Sequence, residues 1–179
     1  MEQASTRNLF PEVSTEQDWA QELERTNYLL IVAIDDYDTP GIPPLKNCVK
    51  DAEDMLEILL EEYEFDAEHV RFLCSGSAER FPHLVNGPAT RRFIIDELRL
   101  MAQRCKEENQ KRAKEEECAA NVLLYYSGHG WYDNFLEQGY WIPVDATLDD
   151  FSMYVSNSTI RDFLNGMQTH HTLLLADSC

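Results

Sequence analysis

Many apolar residues of this chain cluster in four short segments, separated by stretches in which they recur at helical spacing. The first run, 28–34 (YLLIVAI), ends at an acidic loop that contains Pro and Gly. A continuous apolar run rich in β-branched residues is typical of a strand buried on both faces, as in a parallel sheet. We predict further strands at 69–73, 121–126 and 172–176.

Helices are predicted in the segments between these strands. Apolar residues at steps of four, three and four, with acids between them, predict an amphipathic helix over about 47–63. Asn47 is its expected N-cap. A second long helix is expected to begin at Thr90. Its charged end, 103–118, is expected to be a solvated extension or a partly disordered projection.

The third predicted helix ends near Gly166 after a cap at Asn157 or Ser158. Most of 131–156 is predicted to be loop with short extended pieces. Strands that alternate with helices predict an α/β fold, with a doubly wound, mostly parallel sheet and helices on both faces. In such sheets the ligand cleft lies at the carboxyl ends of the strands.

The polar segment 1–26 is interpreted as an N-terminal arm, and 27–179 as a single domain. We find no apolar run long enough to span a membrane and no export signal, which predicts a cytoplasmic location. The five cysteines lack zinc-finger spacing, and their odd number argues against a disulfide framework.

The composition is strongly acidic, with 33 Asp and Glu against 15 Lys and Arg and a formal net charge of −18. This charge opposes binding to nucleic acids and to anionic membranes, and it attracts cationic substrates. Solubility alone is the simpler explanation of the excess.

Two reactive side chains follow the third and fourth predicted strands. His129 lies in Ser-Gly-His-Gly after the third strand, and Cys179 comes three residues after the fourth. If these strands are neighbours, they bring the thiol and the imidazole to one edge of the sheet as a Cys-His dyad. We expect the amides of Gly130 and Cys179 to hold the oxyanion of a tetrahedral intermediate.

The motifs YYSGHG around His129 and LLLADSC at Cys179 resemble the catalytic motifs of caspase-like cysteine proteases. In caspases the histidine lies about 50 residues before the cysteine, and here the separation is 50 residues. The Asp-Ser before the cysteine, and the segments YLLIVAIDDYD and PLKNCVKDAEDM, are most similar to the metacaspase and bacterial orthocaspase branch. The resemblance implies a cysteine endopeptidase.

In that branch, a carboxylate two residues before the nucleophile and a Cys and Asp pair after the first strand line a pocket for Arg or Lys. The resemblance assigns these roles to Asp177, Cys48 and Asp51. Carboxylates on one helical face suit a guanidinium group. Alternatively, Asp51 only stabilises the start of its helix and Asp177 only caps a turn.

The resemblance also implies a small subunit that completes the sheet and the cleft and that is absent from these 179 residues. The expected partners of the chain are this small subunit and protein or peptide substrates with a basic residue at the cleaved bond. No metal or other cofactor is assigned. Some metacaspases require calcium, and Asp145, Asp149 and Asp150 are candidate ligands, although a solvated acidic loop is the simpler interpretation.

Two other functions are compatible with parts of the pattern. The same fold can serve as a catalytically silent scaffold or binding module. The acidic pair Asp35 and Asp36 at the end of the first strand also resembles the acidic pocket of phospho-acceptor receiver domains. Such a domain needs an Asp at the end of its third strand, where this chain has Ser-Gly-His-Gly.

Overall fold

A five-stranded, wholly parallel sheet forms the centre of the protein. The computed structural model describes residues 25–111 and 120–178. Its strands are β1 (Thr26–Ile34), β2 (Val70–Ser75), β3 (Val85–Gly87), β4 (Ala120–Gly128) and β8 (His171–Ser178). The strand order is β3-β2-β1-β4-β8, so β1 is central and β8 lies at one edge. The predicted α/β class is confirmed, and so is the mostly parallel sheet.

Helices cover both faces of this sheet, because alternate residues of the buried strands point to opposite sides. Leu29, Ile31 and Ala33 of β1 belong to a core with one helix. Leu30 and Val32 belong to a second core with the other two helices. The helix on the first face is α1 (Cys48–Glu62), and those on the second face are α2 (Arg91–Lys111) and α3 (Asn157–Gly166).

The segment 131–156, predicted to be mostly loop, contains a second small sheet. This antiparallel sheet has the order β5-β6-β7. The short extended pieces predicted around 141–144 and 153–155 overlap two of its strands. The strand that directly follows His129 was missed, because four residues are too few to show a periodicity. The strands of this small sheet are β5 (Gly130–Asp133), β6 (Gln138–Trp141) and β7 (Val155–Ser156).

The start of α1 is capped from outside the helix. Asn47 is the N-cap residue, as predicted, and its carbonyl accepts from Asp51 N (2.7 Å), but it has a positive φ of 75° and its side chain makes no capping bond. The Asp35 carboxylate, at the end of β1, accepts hydrogen bonds from the backbone N–H groups of Cys48 (2.9 Å) and Val49 (3.4 Å). This carboxylate therefore fixes α1 against the carboxyl end of the central strand.

The other predicted helix starts are close to the observed ones. Thr90 accepts a bond from Phe93 N at the start of α2 (3.3 Å), as its position predicts. At α3 the cap is Ser156, one residue before the expected position, and its hydroxyl accepts from Thr159 N (3.1 Å). Extended backbone at Ser156 makes it the last residue before the helix.

The predicted N-terminal arm, 1–26, lies outside the described residues except for its last two positions. The charged tail 103–118 is helical as far as Lys111, and 112–118 lie outside the described residues. Within this tail Cys105 is buried in the core, so the helix is not solvated on all sides. In the described parts of the chain, we find no helix long and apolar enough to cross a membrane.

We predict that Asp35→Ala lowers the free energy of unfolding by about 1–2 kcal/mol, because two N–H groups at the start of α1 lose their acceptor. Asp36→Ala is the matched control, since Asp36 is exposed, and its effect should stay within about 0.5 kcal/mol. Urea unfolding of both variants measures the difference. Equal effects would contradict the capping role of Asp35.

Candidate active site

The candidate active site lies at the carboxyl edge of the sheet, where β4 and β8 end side by side. The two strands pair in parallel, with Ser127 opposite Asp177 and Gly128 opposite Ser178. The prediction that they are neighbours is confirmed. His129 is the next residue after Gly128, and Cys179 is the next after Ser178. Cys179 itself lies outside the described residues.

Hydrogen bonds to both its backbone and its side chain hold His129 in place. Its backbone N–H donates to the Tyr37 hydroxyl (2.7 Å), and its carbonyl accepts from the Tyr126 hydroxyl (2.6 Å). Its side-chain Nε2 lies 2.9 Å from the Pro43 carbonyl oxygen. A carbonyl oxygen can only accept, so Nε2 carries the proton in this bond. Nδ1 is then the imidazole nitrogen with a lone pair for a proton.

The aromatic ring of Tyr37 also contacts the imidazole, with ring centroids 5.0 Å apart. Burial, more than any other cause, raises the pKa of Tyr37 and of Tyr126. Both hydroxyls therefore remain protonated at neutral pH and serve as fixed hydrogen-bonding groups beside His129.

The two glycines beside His129 leave room that a side chain would fill. A Cβ at Gly130 would lie 3.1 Å from both Cβ and Oγ of Ser178. Ile142 N donates to the His129 carbonyl (3.0 Å), which makes Gly130 and Trp141 a non-hydrogen-bonded pair. The Gly130 N–H is therefore not used in the ladder with β6, as a role in oxyanion binding requires.

The three residues predicted for a basic pocket lie on the α1 side of the same edge. Burial raises the pKa of the Tyr125 hydroxyl, and nearby negative charge on Asp177 and Asp51 raises it further. Burial also raises the pKa of the Cys48 thiol, with smaller contributions from the charges of Asp35 and Asp177. Tyr125 of β4 packs in the core with α1, and Asp177 lies opposite Ser127, two residues further along β4, so the Asp177 side chain is on the face of the sheet that α1 covers.

The structure excludes the simpler interpretation for one of the two acids, Asp177. Asp177 lies within β8 and not in a turn, so the turn-capping interpretation was wrong. Asp51 does lie in the first turn of α1, where its charge favours the helix. Its carboxylate is half-exposed and only 4.0 Å from Lys50 Nζ, while the shorter bond of Lys50 is to Asp54 (2.6 Å).

Two of the three acids considered as calcium ligands accept hydrogen bonds from backbone N–H groups. Asp145 accepts from Arg91 N at the start of α2 (2.9 Å). Asp150 accepts from Ser152 N (3.0 Å) and so caps a 3-10 turn. Across 25–111 and 120–178, no group of three or more His, Cys, Asp or Glu side chains is arranged to hold a metal ion.

Sequence reasoning did not identify Tyr37, Pro43 and Ser127 as parts of this site. Tyr37 and Pro43 belong to the loop after β1, whose path over the sheet edge depends on tertiary packing. Ser127 lies on the α1 face of β4, where it interacts with the Cys48 thiol and with Tyr125. Its place directly before Gly-His-Gly was the only available signal.

Comparison with known proteins gives the family context of this site. A family model described as Caspase domain, of the C14 peptidases, matches residues 26–179. The chain is similar in fold to a crystal structure of protein GSU0716 from Geobacter sulfurreducens, with a TM-score of 0.56 and 21% identity. That match covers 86% of this chain and 50% of the other, so this chain spans about half of that length. No curated protein matches.

We predict that Gly128→Ala lowers the free energy of unfolding by about 1–3 kcal/mol. The added Cβ would lie 2.9 Å from the Tyr126 hydroxyl oxygen and 3.0 Å from that of Tyr37. Both hydroxyls are bonded to the His129 backbone and have little freedom to move. Thermal or urea unfolding measures the loss.

Gly166→Ala is the control for this substitution. A Cβ at Gly166, in the last turn of α3, meets nothing within 4 Å, and we expect unchanged or slightly higher stability. If Gly128→Ala is as stable as the unsubstituted protein, the two tyrosine hydroxyls do not constrain the loop that carries His129.

Proposed function

Because the chain belongs to the caspase-domain family of peptidases, we propose that it is a cysteine endopeptidase with Cys179 as nucleophile and His129 as general base. One observation carries the proposal: the parallel pairing that ends with Gly128 opposite Ser178. In this register the next residue of each strand is a member of the Cys-His dyad.

In the proposed reaction, the Cys179 thiol gives its proton to Nδ1 of His129, and the thiolate attacks the carbonyl carbon of the substrate. The N–H groups of Gly130 and Cys179 stabilise the oxyanion that forms. The imidazolium then protonates the leaving amine as the peptide C–N bond breaks. Water hydrolyses the resulting thioester, with His129 as base, and regenerates the thiol.

The tautomer of His129 supports this assignment of roles. The bond from Nε2–H to the Pro43 carbonyl orients the ring and leaves Nδ1 with its lone pair. The same carbonyl stabilises the imidazolium form once the proton has been transferred. Pro43 thus acts as a positioning residue through its backbone.

We further propose that the bond cleaved follows Arg or Lys. Two carboxylates, Asp51 and Asp177, influence the same buried hydroxyl of Tyr125, next to the Cys48 thiol. A guanidinium or ammonium group placed between them gains charge-assisted hydrogen bonds. Its positive charge also offsets the negative potential that disfavours a thiolate at Cys179.

The exposed edge of the sheet supports the proposal that a further polypeptide, the small subunit, completes the site. The side chains of Leu173, Leu174 and Leu175 in β8 are 50%, 41% and 37% exposed. An apolar edge strand of eight residues favours pairing with another strand. Such a strand would bury these leucines and form a second wall of the cleft.

Within the family, the Asp-Ser before Cys179 supports placement in the metacaspase and orthocaspase branch. The three described cysteines 48, 74 and 105 are all free, in accord with the proposed cytoplasmic location. A catalytically silent scaffold is the alternative function, and the following experiment separates it from the enzyme.

We predict that a peptide ending in arginine and carrying a thiol-reactive group labels the complete gene product, including any sequence that follows Cys179. Mass spectrometry should locate the label on Cys179, and Cys179→Ala should abolish it. Burial raises the pKa of Cys48, Cys74 and Cys105, the last to about 11. These thiols therefore remain protonated and unreactive near neutral pH.

Two further variants test the basic pocket. Asp177→Asn should lower the ratio of labelling by the arginine peptide to labelling by its norleucine analogue by about tenfold or more, since a charged hydrogen-bonding partner of the guanidinium group is lost. Glu61→Gln, at an exposed position near the other end of α1, should leave this ratio unchanged. No labelling of Cys179 would favour the scaffold, and an unchanged ratio in Asp177→Asn would contradict the basic specificity.

A further inference from the structure

We propose that a cleft on the face of β8 opposite Asp177 binds an uncharged aromatic or large apolar side chain of the substrate residue that follows the cleaved bond. This inference rests on the proposed peptidase function and extends it to the leaving-group side. The cleft has a volume of about 310 Å³ and is lined in part by Gly130 and Ser178. In the sequence Gly130 directly follows His129 and Ser178 directly precedes Cys179, so the cleft is lined by neighbours of both proposed catalytic residues.

The cleft and the basic pocket are separated by the plane of the sheet. Ala176 and Ser178 line the cleft, and they alternate along β8 with Asp177, so their side chains point to the opposite face. An extended peptide also directs successive side chains to opposite sides. A basic side chain beside Asp177 thus places its neighbours in the chain on the side of the cleft.

The role of His129 decides which neighbour enters the cleft. As general acid, His129 must reach the leaving amine nitrogen, which belongs to the residue after the cleaved bond. The hairpin that directly follows His129 supplies Gly130 and Trp131 to the cleft. Since His129 must lie next to the leaving amine, the part of the substrate after the cleaved bond lies next to this hairpin and its cleft.

The lining selects the chemical class of the side chain. Four of the lining residues are aromatic, and none of the described lining residues carries a charge. The aromatic residues are Trp131, Tyr132, Tyr140 and Trp141. The protein has a net charge of −18, and the acidic pocket is proposed to bind a basic side chain. The cleft has no charged lining residue and therefore favours an uncharged side chain instead. Its size is at the lower end of the range of about 300–1,000 Å³ for small-ligand pockets.

Packing behind the cleft keeps its aromatic wall in position. Trp131 stacks on Phe151, with centroids 4.6 Å apart and an angle of 14°. Tyr154 contacts the same indole edge-on at 5.9 Å. Trp141 is buried against Tyr126, with centroids 4.2 Å apart. A wall fixed in this way loses little conformational entropy when a ligand binds.

The inference is tested with two peptides that differ only in the residue after the cleaved bond. Both have Arg before the bond, and one has Phe and the other Gly after it. We expect kcat/KM for the Phe peptide to be higher by about tenfold or more. Asn157 lines the cleft and is exposed as the first residue of α3. Asn157→Trp should fill the cleft and bring the ratio close to one.

A matched control on the hairpin is Phe135→Ala. Phe135 is 93% exposed and is not among the lining residues of the cleft, so both rates should stay unchanged. A ratio of kcat/KM for the Phe peptide to that for the Gly peptide near one in the unsubstituted protein would overturn the inference. The same holds if Asn157→Trp leaves a high ratio unchanged. Neither result would affect the proposal that cleavage follows Arg.

A binding measurement makes the inference independent of turnover. Calorimetry with Phe-Ala-Ala amide and Gly-Ala-Ala amide, which mimic the leaving products, should give a Kd at least about tenfold lower for the first. Asn157→Trp should remove the difference. Absence of cleavage after Arg contradicts the peptidase function, whereas equal affinities for the two amides contradict the aromatic cleft.

Discussion

The parallel pairing of β4 with β8 is the interaction on which the rest of the site depends. Because the side chains of a strand alternate between the two faces of the sheet, the register of this pairing decides which side chains of β8 lie on each face. The observed register directs Asp177 toward α1 and Ser178 toward the hairpin after His129. A slip by one residue would exchange these faces and separate the predicted basic pocket from the proposed Cys-His dyad.

Much of the fold could be predicted from the sequence, because its main strands are buried on both faces. Such strands appear as uninterrupted apolar runs, and β1 and β4 are the clearest examples. The three strands of the small sheet have four, four and two residues and only partial burial. Their pairing depends on contacts between distant residues, such as Trp131 with Phe151, which periodicity does not reveal.

In the candidate site, too, some residues could be predicted from local sequence, whereas others are placed by contacts between distant segments. His129, Asp177 and Cys48 lie at the ends of predictable elements, so strand and helix ends located them. The groups that hold His129 could not be found from the sequence, because Tyr37 and Pro43 reach it from 92 and 86 residues away. Likewise the carboxylate that caps α1 belongs to Asp35 and not to the N-cap residue Asn47, and it reaches the helix through a loop whose course the sequence does not determine.

The central claim is that residue 129 and Cys179 face each other at the sheet edge. The most direct test is disulfide formation in the variant His129→Cys under mild oxidation, with the linkage mapped by peptide mass spectrometry. Neighbouring parallel strands are about 4.8 Å apart, within the Cα separation of about 4.4–6.8 Å that a disulfide needs. The account predicts a disulfide between residue 129 and Cys179. Oxidation that leaves both thiols free would contradict it.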